Sequence, residues 1–140
     1  MSCFTFVKIK TLHKTFFGDE TGSLSFFESD KDIPFEFKRV YYISGVKKGG
    51  TRGYHAHKTL KQLLFCPYGE IELLLEDETG KESVVLNKPN VGIIIDHPVW
   101  RIIKWKINNS VLIVVASDYY SEDDYIRDYD EFNKYLAKKS

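Results

Sequence analysis

From Ser2 to Ser117 the chain alternates short runs of β-branched, aromatic and aliphatic residues with clusters of turn formers. The runs predict strands at 4–9, 22–28, 35–44, 52–58, 62–66, 70–76, 83–86, 92–95, 99–106 and 111–116. Glycine, proline, asparagine and aspartate separate them, as at Pro67-Tyr68-Gly69, Asp77-Glu78-Thr79-Gly80 and Asn87-Lys88-Pro89-Asn90. Many strands of this length and spacing predict an all-β antiparallel sandwich or barrel. Towards the end the period changes. Tyr125, Tyr129, Phe132 and Leu136 recur at helical spacing, and Ser121-Glu122-Asp123-Asp124 reads as an N-cap followed by an acidic first turn. A short C-terminal α-helix should pack on the barrel, with Tyr119, Tyr120, Tyr125 and Tyr129 as packing residues at the junction.

Parity within the strands places the charged positions. On 99–106, Arg101, Ile103 and Trp105 share one face, opposite Trp100, Ile102, Lys104 and Lys106. The two lysines need water, so Arg101 turns inward. On 35–44 the same logic turns Arg39 and Tyr41 inward, opposite Lys38, Val40 and Tyr42. An inward arginine requires a partner, which for Arg39 is either a ligand or an acid such as Glu28.

Composition narrows the function classes. The 140 residues form one domain, 1–140, with 43% hydrophobic and 15% aromatic residues, enough for a real core. Twenty basic residues balance twenty acidic ones, so no net field attracts nucleic acid or an anionic membrane. Phosphate recognition must therefore come from a local group of arginines. Cys3 and Cys66 have no metal-ligand spacing and read as reduced thiols, and the chain reads as a cytoplasmic, soluble domain. The longest apolar run, Val111 to Ala116, is far too short to span a bilayer.

The candidate chemistry lies in Thr51-Arg52-Gly53-Tyr54-His55-Ala56-His57-Lys58. In an extended strand His55 and His57 point to one face, with Cα atoms about 6.6 Å apart. Gly49 to Gly69 reads G-x5-H-x-H-x4-Q-x6-G. This resembles the first cupin motif, in which two histidines and a glutamate bind a divalent metal inside a double-stranded β-helix, or jelly-roll barrel. Gln62 stands where the glutamate belongs, and Arg101 falls where a later strand would supply a third histidine. Arginine offers only donors and cannot coordinate a cation. Two histidines, a glutamine and an arginine suit an anion or an oxygen-rich sugar, so the site reads as metal-free.

Further blocks sharpen the resemblance: Arg39-Val40-Tyr41-Tyr42-Ile43, Ala116-Ser117-Asp118-Tyr119-Tyr120 and Asp124-Tyr125-Ile126-Arg127-Asp128-Tyr129-Asp130. With the histidine strand, they make nearly the whole chain similar to the sugar 3,4-ketoisomerases that act on thymidine-diphosphate-4-keto-6-deoxyglucose, upstream of 3-amino-3,6-dideoxysugars. The resemblance implies a cupin homodimer with an exchanged N-terminal strand, a nucleotide-sugar substrate and no cofactor. It departs at Thr21, where the family usually has an arginine before Gly22-Ser23-Leu24. On this reading the ketone moves from C4 to C3 through an enediolate, with His57 as the base at C3 and His55 as the partner moving a proton between the oxygens. The two roles can be exchanged, since spacing does not order them. Tyr41, Gln62 or Arg101 would donate to the enediolate, Arg52 would bind the pyrophosphate or its sugar, and Tyr54 or Trp105 would cover an apolar part of the substrate. Configuration at C4 depends on which face is reprotonated, with a lean to galacto.

Three other functions compete: a nucleotide-sugar 3,5-epimerase on the same barrel, a cupin that binds nucleotide sugar without chemistry, and a metal-dependent cupin dioxygenase. His97, beside Pro98, reads as a loop residue and His13 as surface.

Overall fold

The computed structural model describes residues 9–13, 17–19 and 21–139. Cys3 and most of the first expected strand lie outside the described residues. The strands are β1 (Ile9–His13), β2 (Phe17–Asp19), β3 (Gly22–Leu24), β4 (Arg39–Ile43), β5 (Thr51–His57), β6 (Gln62–Tyr68), β7 (Ile71–Asp77), β8 (Gly80–Leu86), β9 (Val91–Ile95), β10 (Trp100–Trp105), β11 (Val111–Ala116) and β12 (Tyr125–Ile126). They build two antiparallel five-stranded sheets, ordered β1-β9-β6-β11-β4 and β12-β5-β10-β7-β8, plus the hairpin β2-β3. Sheet neighbours are mostly far apart in sequence, the pattern of a jelly roll. The all-β double-stranded β-helix expected from the sequence is the observed architecture.

Leu64, Cys66, Leu73, Leu75, Ile93, Ile95, Ile103, Trp105, Leu112 and Val114 fill the space between the sheets. The near-continuous burial of β6 has a second cause. Its other face, with Leu63 and Phe65, is covered by Phe27, Ile33, Phe35 and Phe37. That packing also explains why the expected strand at 35–44 begins pairing only at Arg39: Phe35 and Phe37 join this outer cluster and do not extend the ladder.

The C-terminal helix α1 (Tyr129–Lys139) packs Phe132 against Ala56, Trp100 and Ile126 on the outside of the second sheet. Its cap differs from expectation. Glu122–Asp124 form a 3-10 turn that ends in an extended Tyr125, and Tyr125–Ile126 join the sheet as β12. The cap is Asp128, whose Oδ1 accepts the N–H of Glu131 at 3.0 Å. A period-3.6 stripe thus ran across a strand and a helix.

One irregularity sets up the site. Arg101 of β10 pairs with His55, but the next residue, Ile102, pairs with Gly53, leaving Tyr54 as an extra residue in β5. Gly53 and Tyr54 have φ of +96° and +58°. Strict alternation would put Arg52 on the outer face with Tyr54 and Ala56; the bulge returns it to the His55 side. A Cβ on Gly53 would meet the Arg101 carbonyl oxygen at 2.9 Å. Gly53→Ala should therefore cost about 1–3 kcal/mol, read from urea denaturation.

Candidate active site

Parity placed the inward residues correctly. Arg101 is 2% exposed and Trp105 fully buried, while Val40 and Tyr42 on the outer face of β4 are 55% and 71% exposed. A cavity of about 280 Å³ is lined by Arg39, Tyr41, Arg52, His55, Arg101 and Arg127, among others, with Tyr125 on one side. A second, of about 250 Å³, is lined by His57, Thr59, Asp118, Tyr120 and Asp124. Arg39 and Tyr125 line both. The two histidine rings meet edge to face, 5.0 Å between centroids. His55 thus borders the larger space and His57, 1% exposed, the smaller.

Strand register explains the grouping. Arg39 and Gln62 both pair with Ala116, one on each side, and the small alanine leaves room for two long polar side chains. One row further along, Tyr41 and Leu64 flank Val114. Tyr125 sits opposite His57 across the β12–β5 pair, so their rings lie 4.4 Å apart, with the His55 ring 5.1 Å from Tyr125.

A chain of hydrogen bonds runs through this interior. Arg101 Nη1 donates to Gln62 Oε1, and Nη2 to the Val99 carbonyl at 3.3 Å. Gln62 Nε2 then donates to the Tyr41 hydroxyl at 3.2 Å. Burial pushes the Tyr41 hydroxyl up, so it stays protonated, and its own O–H is free to donate elsewhere. Burial lowers Arg101 to about 10, which leaves it a cation at neutral pH. Burial first, then the Arg101 charge, hold His55 down at about 4 and His57 at about 2, so both rings are neutral bases. Among the described residues, Arg39 Nε, His57 Nε2 and Arg101 Nε are buried without a hydrogen-bond partner. The two unsatisfied guanidinium N–H groups, Arg39 Nε and Arg101 Nε, make a receptor for an oxygen-rich anion.

The donor set does not fit a metal. The Gln62 oxygen already accepts from Arg101, and a guanidinium occupies the position a fourth ligand would need. Among the described residues, no three His, Cys, Asp or Glu side chains are placed to hold an ion.

Several expectations change. Trp105 is in the core, its Nε1 donating to the Ser110 carbonyl at 2.7 Å, so it does not cover substrate. Tyr54 lies on the exposed outer face, where its hydroxyl donates to Thr51 Oγ1 at 3.0 Å. The aromatic wall is Tyr125, assigned from sequence to packing. Arg39 does not bridge to Glu28; its guanidinium lies over the rings of Tyr41 and Tyr120, and Glu28 lies 3.6 Å from Lys31. His97 is the loop residue expected, and its ring is held in place, the two nitrogens bonding Asp96 and Asp77 at 3.1 and 2.8 Å.

Two residues of the site escaped the sequence reading. Asp124, taken for a cap, contacts His57 Nδ1 at 3.1 Å. Arg127 lines the larger cavity, stacked 4.1 Å from the Tyr125 ring centroid and held by Glu122 at 2.5 and 2.9 Å. Arg127 and Tyr120 in turn hold the Glu122 carboxyl down at about 2. The only sequence signal for these residues was the block 124–130.

The chain is similar to known proteins along most of its length. The family model described as FdtA, WxcM-like, C-terminal, matches residues 5–137. A TDP-4-oxo-6-deoxy-α-D-glucose-3,4-oxoisomerase from Aneurinibacillus thermoaerophilus is 45% identical over 120 residues, 86% of each chain. The sugar 3,4-ketoisomerase QdtA from Thermoanaerobacterium thermosaccharolyticum, solved with TDP, is 40% identical over 96% of this chain and 98% of its own, with a TM-score of 0.91. A histidine-to-asparagine variant of QdtA, 39% identical over the same shares and with the same TM-score, has been solved with TDP-4-keto-6-deoxyglucose. A dTDP-4-dehydrorhamnose 3,5-epimerase from Bacillus anthracis, 18% identical over 86% of this chain and 78% of its own, shares the fold with a TM-score of 0.76. Fold and site together define a nucleotide-sugar type of cupin barrel. The chain belongs to the FdtA, WxcM-like family.

The electrostatics give a pH signature. Both imidazoles titrate lower in the folded chain than the ordinary 6.5, so the unfolded chain binds more protons below that value. Stability is complete above pH 6.5 and is lost as pH falls, down to about 4 for His55 and further for His57. Arg101→Met should raise both histidine titrations and flatten that loss, as read by imidazole NMR titration and urea midpoints at several pH values. At neutral pH its stability should stay within about 2 kcal/mol of wild type, because an apolar isostere replaces a buried charge with neutral partners.

Proposed function

We propose that the chain is a TDP-sugar 3,4-ketoisomerase that converts TDP-4-keto-6-deoxyglucose to the 3-keto isomer. The observation carrying this reading is the convergence of a neutral imidazole, a free phenolic O–H and four arginines on one cavity. Arg52 and Arg127 are the cations proposed for the pyrophosphate. His55 is the base we assign to C3, because it is the imidazole that lines the larger cavity; this exchanges the roles first given to the two histidines.

The bonds balance without a redox partner. The C3–H bond breaks to His55, its electron pair forms the C3=C4 bond, and the C4 carbonyl pair moves to O4. Tyr41 and Arg101 stabilise that oxyanion as donors. His57 takes the O3 proton and delivers it to O4. The O3 pair then forms the C3 carbonyl, and C4 takes the proton back from His55. Both histidines end neutral, as they began. No step passes through a metal, and we propose that none is needed. The pyrophosphate offsets the arginine charges that depress His55, so substrate binding itself raises the base's proton affinity.

Under this proposal His55→Asn lowers turnover by roughly 10²–10⁴-fold while TDP affinity, by calorimetry, stays within several fold. Proton NMR of the product from TDP-4-keto-6-deoxyglucose should show the ketone at C3, and the coupling of H4 gives its configuration. A ketone retained at C4 with deuterium entering C5 would support the 3,5-epimerase instead; binding without turnover would support a module without chemistry.

We also propose a homodimer in the cytoplasm. Tyr42, Tyr68, Val40 and Leu24 are exposed apolar side chains, and an apolar groove of about 530 Å³ runs along Phe26, Phe37, Val40 and Ile113. β1 pairs with its own β9 at a sheet edge, the position a partner's N-terminal strand would take if exchanged. Cys66 is a buried free thiol, in keeping with a reducing compartment. Light scattering should give twice the chain mass, and Tyr42→Glu should shift it towards the monomer.

A further inference from the structure

We propose that Asp124 is a positioning residue that fixes His57 as its Nδ1–H tautomer and so leaves Nε2 as the lone pair of the proton relay. The inference rests on the isomerase reading for what that relay does, and on geometry alone for the tautomer.

Asp124 ends the 3-10 turn, one residue before Tyr125 pairs with His57. Its carboxylate gathers the residues that follow the histidine strand. Oδ1 accepts from the Thr59 N–H at 2.8 Å and the Thr59 hydroxyl at 2.9 Å. Oδ2 faces the Leu60 N–H at 3.3 Å and His57 Nδ1 at 3.1 Å. The Asp124 carbonyl accepts the Lys58 N–H at 2.9 Å. A backbone N–H can only donate, so both oxygens are committed as acceptors, and the carboxylate has no proton to offer His57. His57 Nδ1 must then carry the hydrogen.

The ring has one proton to place. With the imidazole neutral and that proton on Nδ1, Nε2, on the opposite edge of the ring, is a bare acceptor. It is buried, and among the described residues nothing donates to it. A buried acceptor left open is costly in a finished structure and useful in one that awaits a proton. The relay assigned to His57 needs this state: Nε2 must take the O3 proton before it can give one to O4. In the other tautomer Nε2 would hold a hydrogen and could not begin.

A simpler role competes. Asp124 also pins residues 58–60 to the 3-10 turn and could be needed for shape alone. The test separates the two by reading the ring directly in the full chain. Nitrogen-15 NMR of His57 should show the Nδ1–H tautomer in wild type. In Asp124→Asn, the amide must keep its oxygen for the Thr59 N–H, turns its NH₂ towards Nδ1 and should switch the ring to Nε2–H. Turnover of that variant should fall by about 10²-fold or more, with KM and TDP affinity within about threefold. Ser117→Ala removes the hydroxyl that accepts the Lys61 N–H, an anchor of the same loop that does not touch Asp124, so the tautomer should stay and turnover should remain within about threefold of wild type. An Nε2–H ring in wild type, or wild-type turnover in Asp124→Asn, would overturn the proposal. Should wild type lack isomerase activity, the isomerase reading fails, while the NMR result still decides the tautomer.

Discussion

The guanidinium of Arg101 is buried between two sheets with neutral acceptors, the Gln62 amide and the Val99 carbonyl. A carboxylate at position 62 would make an ion pair and cancel the charge. Glutamine satisfies the geometry and lets the charge stand. That residual field is felt by both imidazoles, which it holds neutral together with burial, and by the Tyr41 hydroxyl. Burying a cation this way costs stability. What it provides is a chamber that favours anions, keeps histidines as proton acceptors and disfavours a metal dication. The two departures from the cupin ligand pattern, Gln62 and Arg101, are one physical change.

A second constraint is geometric. Arg52 and His55, three residues apart on β5, line one cavity, a spacing that period-2 alternation does not allow. The extra residue at Tyr54 solves this by reversing parity between Arg52 and His55. Gly53 is where the backbone of β5 comes too close to Arg101 for a side chain, so the bulge is anchored to the strand that carries the buried cation. Charge and shape are therefore set at the same crossing of β5 and β10.

The fold and half of the site were legible because burial enforces alternation. Lys104 and Lys106 fixed the orientation of Arg101, and Lys38 with its neighbours that of Arg39 and Tyr41. His55 and His57 were legible from spacing, because nothing separates them but one small residue. The remainder was hidden for identifiable reasons. A bulge has no periodic signature, so Arg52's partnership with His55 could not be derived from alternation. Tyr125 lay on a helical stripe that in fact spans a two-residue strand, a turn and the helix, and Asp124 looked like a cap because acids before helices usually are. Trp105 satisfied its N–H on Ser110, a long-range match that no local pattern announces.

The division of the interior into two spaces bears on why two histidines are kept. Isomerisation moves one hydrogen between carbons and another between oxygens, and a single imidazole would have to carry both in turn. Here Arg39 and Tyr125 border both cavities, with His55 on the larger one and His57 on the smaller, while the rings stay in edge contact. Each histidine thus has its own surroundings and its own set of neighbours, while the Tyr125 ring touches both. The 3,5-epimerase of the same fold, at 18% identity, shows that the barrel by itself does not select the reaction. What distinguishes this chain is which groups the barrel turns inward: a neutral partner for a buried cation, and separate settings for two neutral imidazoles.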